Sequence, residues 1–332
     1  MKRIPSLDGL RAISIAAVVV GHILRGRGYT SVFGSYGNTG VRIFFVISGF
    51  LITRLMLNEH TRTSAISLKD FYVRRAYRIL PAALVFVAAA VIIDWQEMTW
   101  LHVGAAVFYL ADYDYAVPWV FRHLWSLSVE EQFYLLWPAV LKRWYNKRVQ
   151  ILVAVSIFAP LLHLVLYAFK VPGGGYGLFP VLTDNLAIGC LLAVLEPRIP
   201  RIPGYTALLM TFAIVFIPLY VAPTVPRTLF SVLILHPIFL ISIAGVIAHV
   251  VQTPYRFLNR WPTDWIGRIS YSLYLWQEPF CPNPRYRPLT ALVLALSAAC
   301  ISYYVVERPA LRLREKRSKA RKQEVATAYI AA

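Results

Sequence analysis

Arg11 and His22 are the first residues in this chain whose types and spacing could do chemistry. They lie eleven positions apart. Eleven helical steps of 100° return to within about 20° of the same face, roughly 16 Å further along the axis. His22 stands in Ala17-Val18-Val19-Val20-Gly21-His22, an apolar setting where a polar side chain must be paired, wetted or functional. An imidazole there could take a proton from a substrate, or it could simply hydrogen-bond another helix. A second polar intrusion is Trp125-Ser126-Leu127-Ser128-Val129-Glu130-Glu131-Gln132-Phe133-Tyr134. Adjacent glutamates point about 100° apart, so one of them could face His22 and fix its tautomer. The competing reading pairs Glu130 or Glu131 with an intramembrane arginine such as Arg42 or Arg268.

Arg75 and Arg78 are three residues apart in Arg74-Arg75-Ala76-Tyr77-Arg78-Ile79-Leu80-Pro81, hence on one face of a helix. Paired arginines bind phosphate bidentately, and they also anchor a cytosolic helix end; Pro81 predicts a break or kink into the next span. Ser48 and Gly49, in Phe44-Phe45-Val46-Ile47-Ser48-Gly49-Phe50, mark either a close helix approach or the wall of a substrate channel. Asp184 and Asn185 form a further polar patch at the outer end of a span. The cluster Ser270-Tyr271-Ser272-Leu273-Tyr274-Leu275-Trp276-Gln277 fits an interfacial belt or a cavity wall. The run Gly173-Gly174-Gly175-Tyr176-Gly177 reads as a flexible external connector. Cys190, Cys281 and Cys300 read as buried thiols rather than a redox or metal site.

The elements that must position these groups follow from composition. Of 332 residues, 58% are hydrophobic and only 15% charged, against about a quarter charged in a soluble domain. Ten segments are apolar enough to span: 10–27, 38–57, 79–95, 124–141, 149–169, 179–196, 204–222, 228–251, 266–280 and 288–306. The stretch 99–112 is too short and reads as re-entrant or interfacial. The expected fold is therefore an all-α polytopic bundle of about ten transmembrane helices.

The net charge of +18 would point to nucleic acid in a soluble protein, but its distribution points to a membrane. With the N-terminus in the cytosol, 25 of the 34 Lys and Arg residues fall on the cytosolic side and 7 outside. Both termini are then cytosolic. Making 99–112 a full span would send Lys142, Arg143, Lys147 and Arg148 outside and spoil the bias. From Glu307 onward the chain carries eight basic and three acidic residues, which reads as a basic tail touching anionic lipid. The expected organisation is one transmembrane domain over 1–309 and a cytosolic tail over 310–332, with no cleavable signal pattern near Met1–Arg11.

Taken in order, these motifs resemble the acyltransferase 3 family of membrane acyltransferases. The resemblance is carried by Leu7-Asp8-Gly9-Leu10-Arg11-Ala12-Ile13 with His22, by Phe44–Leu51, by Arg74–Pro81, by Trp125–Tyr134, by Ser270–Trp276 and by Glu307-Arg308-Pro309. It covers Ile4 to Pro309. It implies transfer of an acyl group, usually acetyl from cytosolic acetyl-CoA, to a hydroxyl of a bacterial envelope glycan or a related acceptor, in the inner membrane. His22 would be the general base, with Glu130 or Glu131 orienting it. Arg11, Arg75, Arg78 and Ser48 would serve acyl-CoA; a covalent acyl relay on His22 or Ser48 is the other route. The expected partners are acyl-CoA, the carbohydrate acceptor and the bilayer, with a homodimer left open; no permanently bound cofactor and no metal is expected. Two positions depart from the family pattern: Gln277 replaces a common His, so it receives no acid/base role, and Arg42 replaces a common acidic residue, where it could neutralise Glu130 or Glu131. The rival from another class is a proton-coupled transporter or flippase of glycan precursors using the same intramembrane His, Arg and Glu. Against it stands the absence of an internal repeat.

Overall fold

In hydrocarbon every backbone N–H and C=O must find its partner within the segment, so long apolar runs resolve into helices. The computed structural model describes residue 4 and residues 6–29, 34–171, 175, 177–224 and 229–331, and no strand occurs among them. The α-helices are α1 (Leu7–Arg25), α2 (Gly34–Thr63), α3 (Leu68–Ile93), α4 (Trp100–Val107), α5 (Leu124–Arg143) and α6 (Arg148–Ala168). They continue with α7 (Phe179–Leu195), α8 (Gly204–Thr224), α9 (His236–Gln252), α10 (Thr263–Trp276), α11 (Pro288–Ile301) and α12 (Arg308–Ala331). Among the described residues, seven helical stretches are long and apolar enough to cross a membrane. The ten expected segments each fall on helix. Those on α5, α8 and α10 do not reach that threshold: α5 carries Glu130, Glu131, Lys142 and Arg143, the stretch Gly204–Leu219 of α8 is apolar but shorter, and α10 has 14 residues.

Helix α3 corrects one expectation. It runs without a break from Leu68 to Ile93 through Pro81, so Arg75 and Arg78 sit on the same helix as the apolar run that follows them. Ser67 caps its start by accepting from the Asp70 N–H. Between α3 and α5 lies α4, capped by Thr99 and, at eight residues, about 12 Å long. Trp100, Leu101 and Phe108 are among the most exposed apolar side chains of the chain, so this short element presents an apolar surface outward. Most of the glycine run 173–177 lies outside the described residues.

Helices α2 and α7 form the centre, and glycine makes their approach possible. A Cβ at Gly49 would collide with the Leu186 carbonyl, and one at Gly189 with the Val46 carbonyl. Gly40 does the same for α1 against α2, meeting the Ser14 carbonyl, and Gly267 for α10 against α1, meeting the Asp8 carbonyl. The core is built of Ile15, Phe45, Met56, Phe133, Trp137, Leu186 and their neighbours. On the periphery the pattern of a soluble protein is inverted: Ile157, Phe158 and Val165 of α6 and Leu208, Leu209, Phe212 and Phe216 of α8 are exposed. Two single π-turns interrupt regular helix, Ser231–Leu235 before α9 and Ser302–Glu307 before α12. Such turns often accompany functional sites, and here they set His236 and Glu307.

Candidate active site

An arginine-lined cleft opens between α1, α2, α3, α5 and α10, with about 640 Å³ of non-protein space including its mouth. Its wall includes Arg11, Ser48, Arg75, Arg78, Glu130, Tyr271 and Tyr274. Arg75 lies 3.3 Å from the nearest oxygen of Glu130 and 3.3 Å from that of Glu131. Its guanidinium also stacks over the Tyr134 ring at 3.6 Å. Ser48 Oγ donates to Glu130 Oε1 at 2.5 Å, and the Tyr134 hydroxyl donates to the same oxygen. Arg78 meets Glu307, whose side chain is fully buried, at 2.5 Å, while Ser272 Oγ donates to Glu307 at 3.0 Å. Arg11 pairs with Asp8 at 3.5 Å. Partly buried cations of this kind persist only with carboxylates beside them.

The sequence therefore brings the two arginines and both glutamates together, but it misassigns the glutamates. Neither Glu130 nor Glu131 reaches His22. The carboxylate on His22 is Glu278, in the turn after α10, with Oε2 3.0 Å from Nδ1. Gln277 Oε1 lies 2.6 Å from the same nitrogen. Equal depth along two helices does not fix which face each presents: α5 turns its glutamates toward α3, and α1 turns His22 toward the end of α10. The proposed intramembrane partners are also otherwise engaged. Arg268 pairs with Asp264 at 2.9 Å, and Arg42 donates to His236 Nδ1 at 2.8 Å rather than neutralising Glu130 or Glu131. His236 Nε2 in turn lies 2.6 Å from Asp184 Oδ2, which joins the buried Asp184–Asn185 patch to the half-buried Arg42 in one chain.

Both neighbours of His22 Nδ1 are oxygens that only accept, so Nδ1 carries a hydrogen, and in the neutral ring Nε2 is then the acceptor nitrogen. The arrangement is held firmly. Gln277 Nε2 donates to Glu278 at 3.2 Å, and the Cys281 N–H closes the turn on the Gln277 carbonyl at 2.8 Å. Gly26 lets the end of α1 pack directly against Pro282, and Arg27 donates to the Tyr286 carbonyl at 2.6 Å. Tyr274 lines the arginine cleft, and its hydroxyl bonds Ser126 and the His123 carbonyl. His123 itself is buried against Phe86 and Tyr274, and neither ring nitrogen has a hydrogen-bond partner among the described residues.

Glu278, Glu307, Tyr134, His123 and His236 were missed by sequence reasoning. Glu278 and Glu307 did carry a signal, an acidic residue at the end of an apolar run, the same anomaly that drew attention to Glu130. Ser48 and Gly49 divide their two expected roles: Gly49 makes the helix contact and Ser48 lines the cleft. The aromatic cluster after Ser270 is cavity wall, since Ser270, Tyr271 and Tyr274 all border the cleft.

The sequence model of a family described as an acyltransferase domain matches residues 4–307. Among curated proteins, the chain is 30% identical to the O-acetyltransferase OatA of Staphylococcus aureus, over 96% of this chain and 58% of the relative. It is 28% identical to the peptidoglycan O-acetyltransferase OatA of Listeria monocytogenes, over 84% of this chain and 49% of the relative. It is also 28% identical to a putative peptidoglycan O-acetyltransferase, YrhL, of Bacillus subtilis, over 92% and 54%. The chain thus spans about half the length of these relatives. No solved structure matches it. With the family match running through every motif that forms the cleft and the His22 site, the chain belongs to the acyltransferase 3 family.

Proposed function

We propose that the protein is a membrane O-acetyltransferase that moves acetyl from cytosolic acetyl-CoA to a hydroxyl of an envelope glycan, peptidoglycan being the acceptor named for its relatives. The observation that carries this reading is the His22–Glu278 pair standing beyond an arginine-lined cleft. The cleft suits the donor. Arg75, Arg78 and Arg11 would hold its phosphates, with Glu130 and Glu307 yielding their arginines as the more highly charged ligand arrives. The thioester would then lie toward His22. Nε2 accepts the hydroxyl proton as the oxygen attacks the carbonyl carbon, and Glu278 stabilises the imidazolium that forms. As the tetrahedral intermediate collapses, the C–S bond breaks and the proton passes from His22 to the departing thiolate. Ser48 is committed to Glu130, which favours direct transfer over a covalent relay on that residue.

On this reading the chain crosses the bacterial inner membrane ten times with both termini cytosolic and α4 at or within the outer interface, supported by the excess of Lys and Arg on the side assigned to the cytosol. The test is acetyl transfer from acetyl-CoA to glycan fragments by the full chain in nanodiscs, compared with His22→Ala. Transfer by the wild type that disappears in the variant, with CoA affinity retained, supports the reading. No thioester turnover with any glycan acceptor, or equal turnover in both proteins, overturns it.

A further inference from the structure

The three arginines of the cleft each have a carboxylate at 3.5 Å or less: Arg11 has Asp8, Arg75 has Glu130 and Glu131, and Arg78 has Glu307. Arg74 beside them pairs with Glu59 at 3.3 Å. Helix α12 breaks this pattern. It begins directly after Glu307, the residue that holds Arg78, and packs along α3. Its first ten residues carry Arg308, Arg312, Arg314, Lys316 and Arg317 against a single acid, Glu315.

Charge alone would make this an ordinary stop signal. The side chains, however, divide between two faces. Seven helical steps bring Arg314 back to within about 20° of Glu307, about 10 Å further along the axis, and Arg317 follows one turn later on the same side. Arg312 and Lys316 point the opposite way and are exposed. The Arg314 side chain is only 28% exposed, yet the carboxylate it meets, that of Glu315, is 4.0 Å away. Arg317 is held by a neutral group: Nη1 donates at 2.6 Å to the hydroxyl of Tyr77, the chain neighbour of Arg78. That bond uses one of five guanidinium N–H donors. Helical side chains lean toward their own N-terminus, so both arginines lean back toward Glu307 and the cleft.

Acyl-CoA carries two separate anionic groups, the pyrophosphate and a phosphomonoester on the ribose 3′ oxygen. With the thioester toward His22 and the pyrophosphate among the cleft arginines, the ribose lies at the far end of the cleft, beside Arg78. We infer that Arg314 and Arg317 are the seat of the ribose 3′-phosphate; this rests on the reading of the cleft as the donor site. A phosphomonoester carries nearly two negative charges at neutral pH and takes arginine bidentately. It meets two cations with no close carboxylate to displace, whereas the pyrophosphate must draw Arg75 and Arg78 from theirs. Helix α12 thereby becomes the element that tells CoA from thioesters lacking the ribose phosphate, with Tyr77 positioning Arg317. An anionic lipid headgroup offers the same phosphate chemistry, but it would engage Arg312 and Lys316 on the exposed face just as well.

The test measures equilibrium binding of CoA and of 3′-dephospho-CoA to the full chain in nanodiscs of neutral lipid. The wild type should bind CoA at least about tenfold more tightly, as expected for charge-assisted hydrogen bonds. Arg314→Gln with Arg317→Gln should bring the two affinities within about twofold of each other. Arg312→Gln with Lys316→Gln removes the same charge from the opposite face and should keep the wild-type ratio. Equal affinities in the wild type overturn the seat, whatever the variants do. So does an unchanged ratio in Arg314→Gln with Arg317→Gln, or an equal fall in both double variants, which would make the effect one of bulk charge. A wild-type ratio that collapses when phosphatidylglycerol is added to the discs assigns the two arginines to lipid instead. If the wild type binds neither ligand, the donor reading of the cleft fails and the seat with it; if it binds both alike, only the seat fails.

Discussion

Glu278 Oε2 stands 3.0 Å from His22 Nδ1, joining the turn after α10 to the first membrane helix. A carboxylate in that position fixes the imidazole tautomer and stabilises its charged form. Glu278→Gln and Glu278→Ala should therefore lower acetyl transfer by on the order of 10²–10⁴-fold while leaving CoA affinity within a factor of two or so. Steady-state kinetics alongside equilibrium CoA binding would check this. A Glu278→Ala variant that transfers at the wild-type rate would remove the orienting role.

Arg78 and Glu307 make the opposite kind of pair, one whose breakage strands a charge. Glu307 is fully buried, so Arg78→Ala should destabilise the protein by about 3–5 kcal/mol and weaken CoA binding. Adding Glu307→Gln to that variant should restore much of the stability but none of the CoA affinity. Thermal midpoints and CoA titrations on the two variants separate the contributions; recovery of both together would mean that Arg78 does not touch the donor.

Ser48 offers a cleaner decision about mechanism. Its hydroxyl is committed to Glu130, beside Arg75 and Tyr134. Ser48→Ala should keep measurable acetyl transfer, down by about 10- to 150-fold at most, the loss of one hydrogen bond to a charged group being worth about 1.5–3 kcal/mol. Complete loss of transfer, with an acetylated peptide containing Ser48 found in the wild type by mass spectrometry, would establish the relay instead.

The loop between α4 and α5 carries a pH dependence of its own. Burial pushes the Asp112 carboxyl up to about 6, opposed by the hydrogen bonds it accepts from the Phe179 N–H and from Gln132. The folded state therefore holds a proton that the unfolded chain releases near pH 4. Its contribution to stability is fully present below about pH 4 and is lost as the pH rises through about 6. The thermal midpoint of the wild type should fall between pH 4.5 and 7 relative to that of Asp112→Asn. Parallel pH profiles for the two proteins would refute the assignment.

What the sequence discloses and what it hides divide along physical lines. Arg75 with Arg78, Arg11 with His22 and Ser48 beside Gly49 are relations within one helix, fixed by 100° per residue, and each is realised as a shared face or a shared wall. The partner of His22 is not such a relation. It depends on how α1 and α10 cross, which Gly9, Gly26 and Gly267 settle by close approach to Leu258, Pro282 and Asp8. No local spacing encodes that crossing, so the sequence points to Glu130 or Glu131 and leaves Glu278 out. Pro81 does not break the helix it enters: proline removes one backbone bond, and α3 continues through it. The family resemblance was legible because six motifs survive in order, yet it located residues without saying which ones touch.

The carboxylates that hold Arg75 and Arg78 have a consequence for the membrane as an electrical barrier. Three guanidinium groups lining a wet cleft would, if bare, form a well for chloride partway across the bilayer, and a well that deep is a step toward a leak. Here Asp8, Glu130, Glu131 and Glu307 already balance those cations. A monovalent ion entering the cleft would gain little and would have to break pairs to gain anything. With three guanidiniums set against four carboxylates, the empty cleft carries no surplus of positive charge and offers a stray anion no deep well.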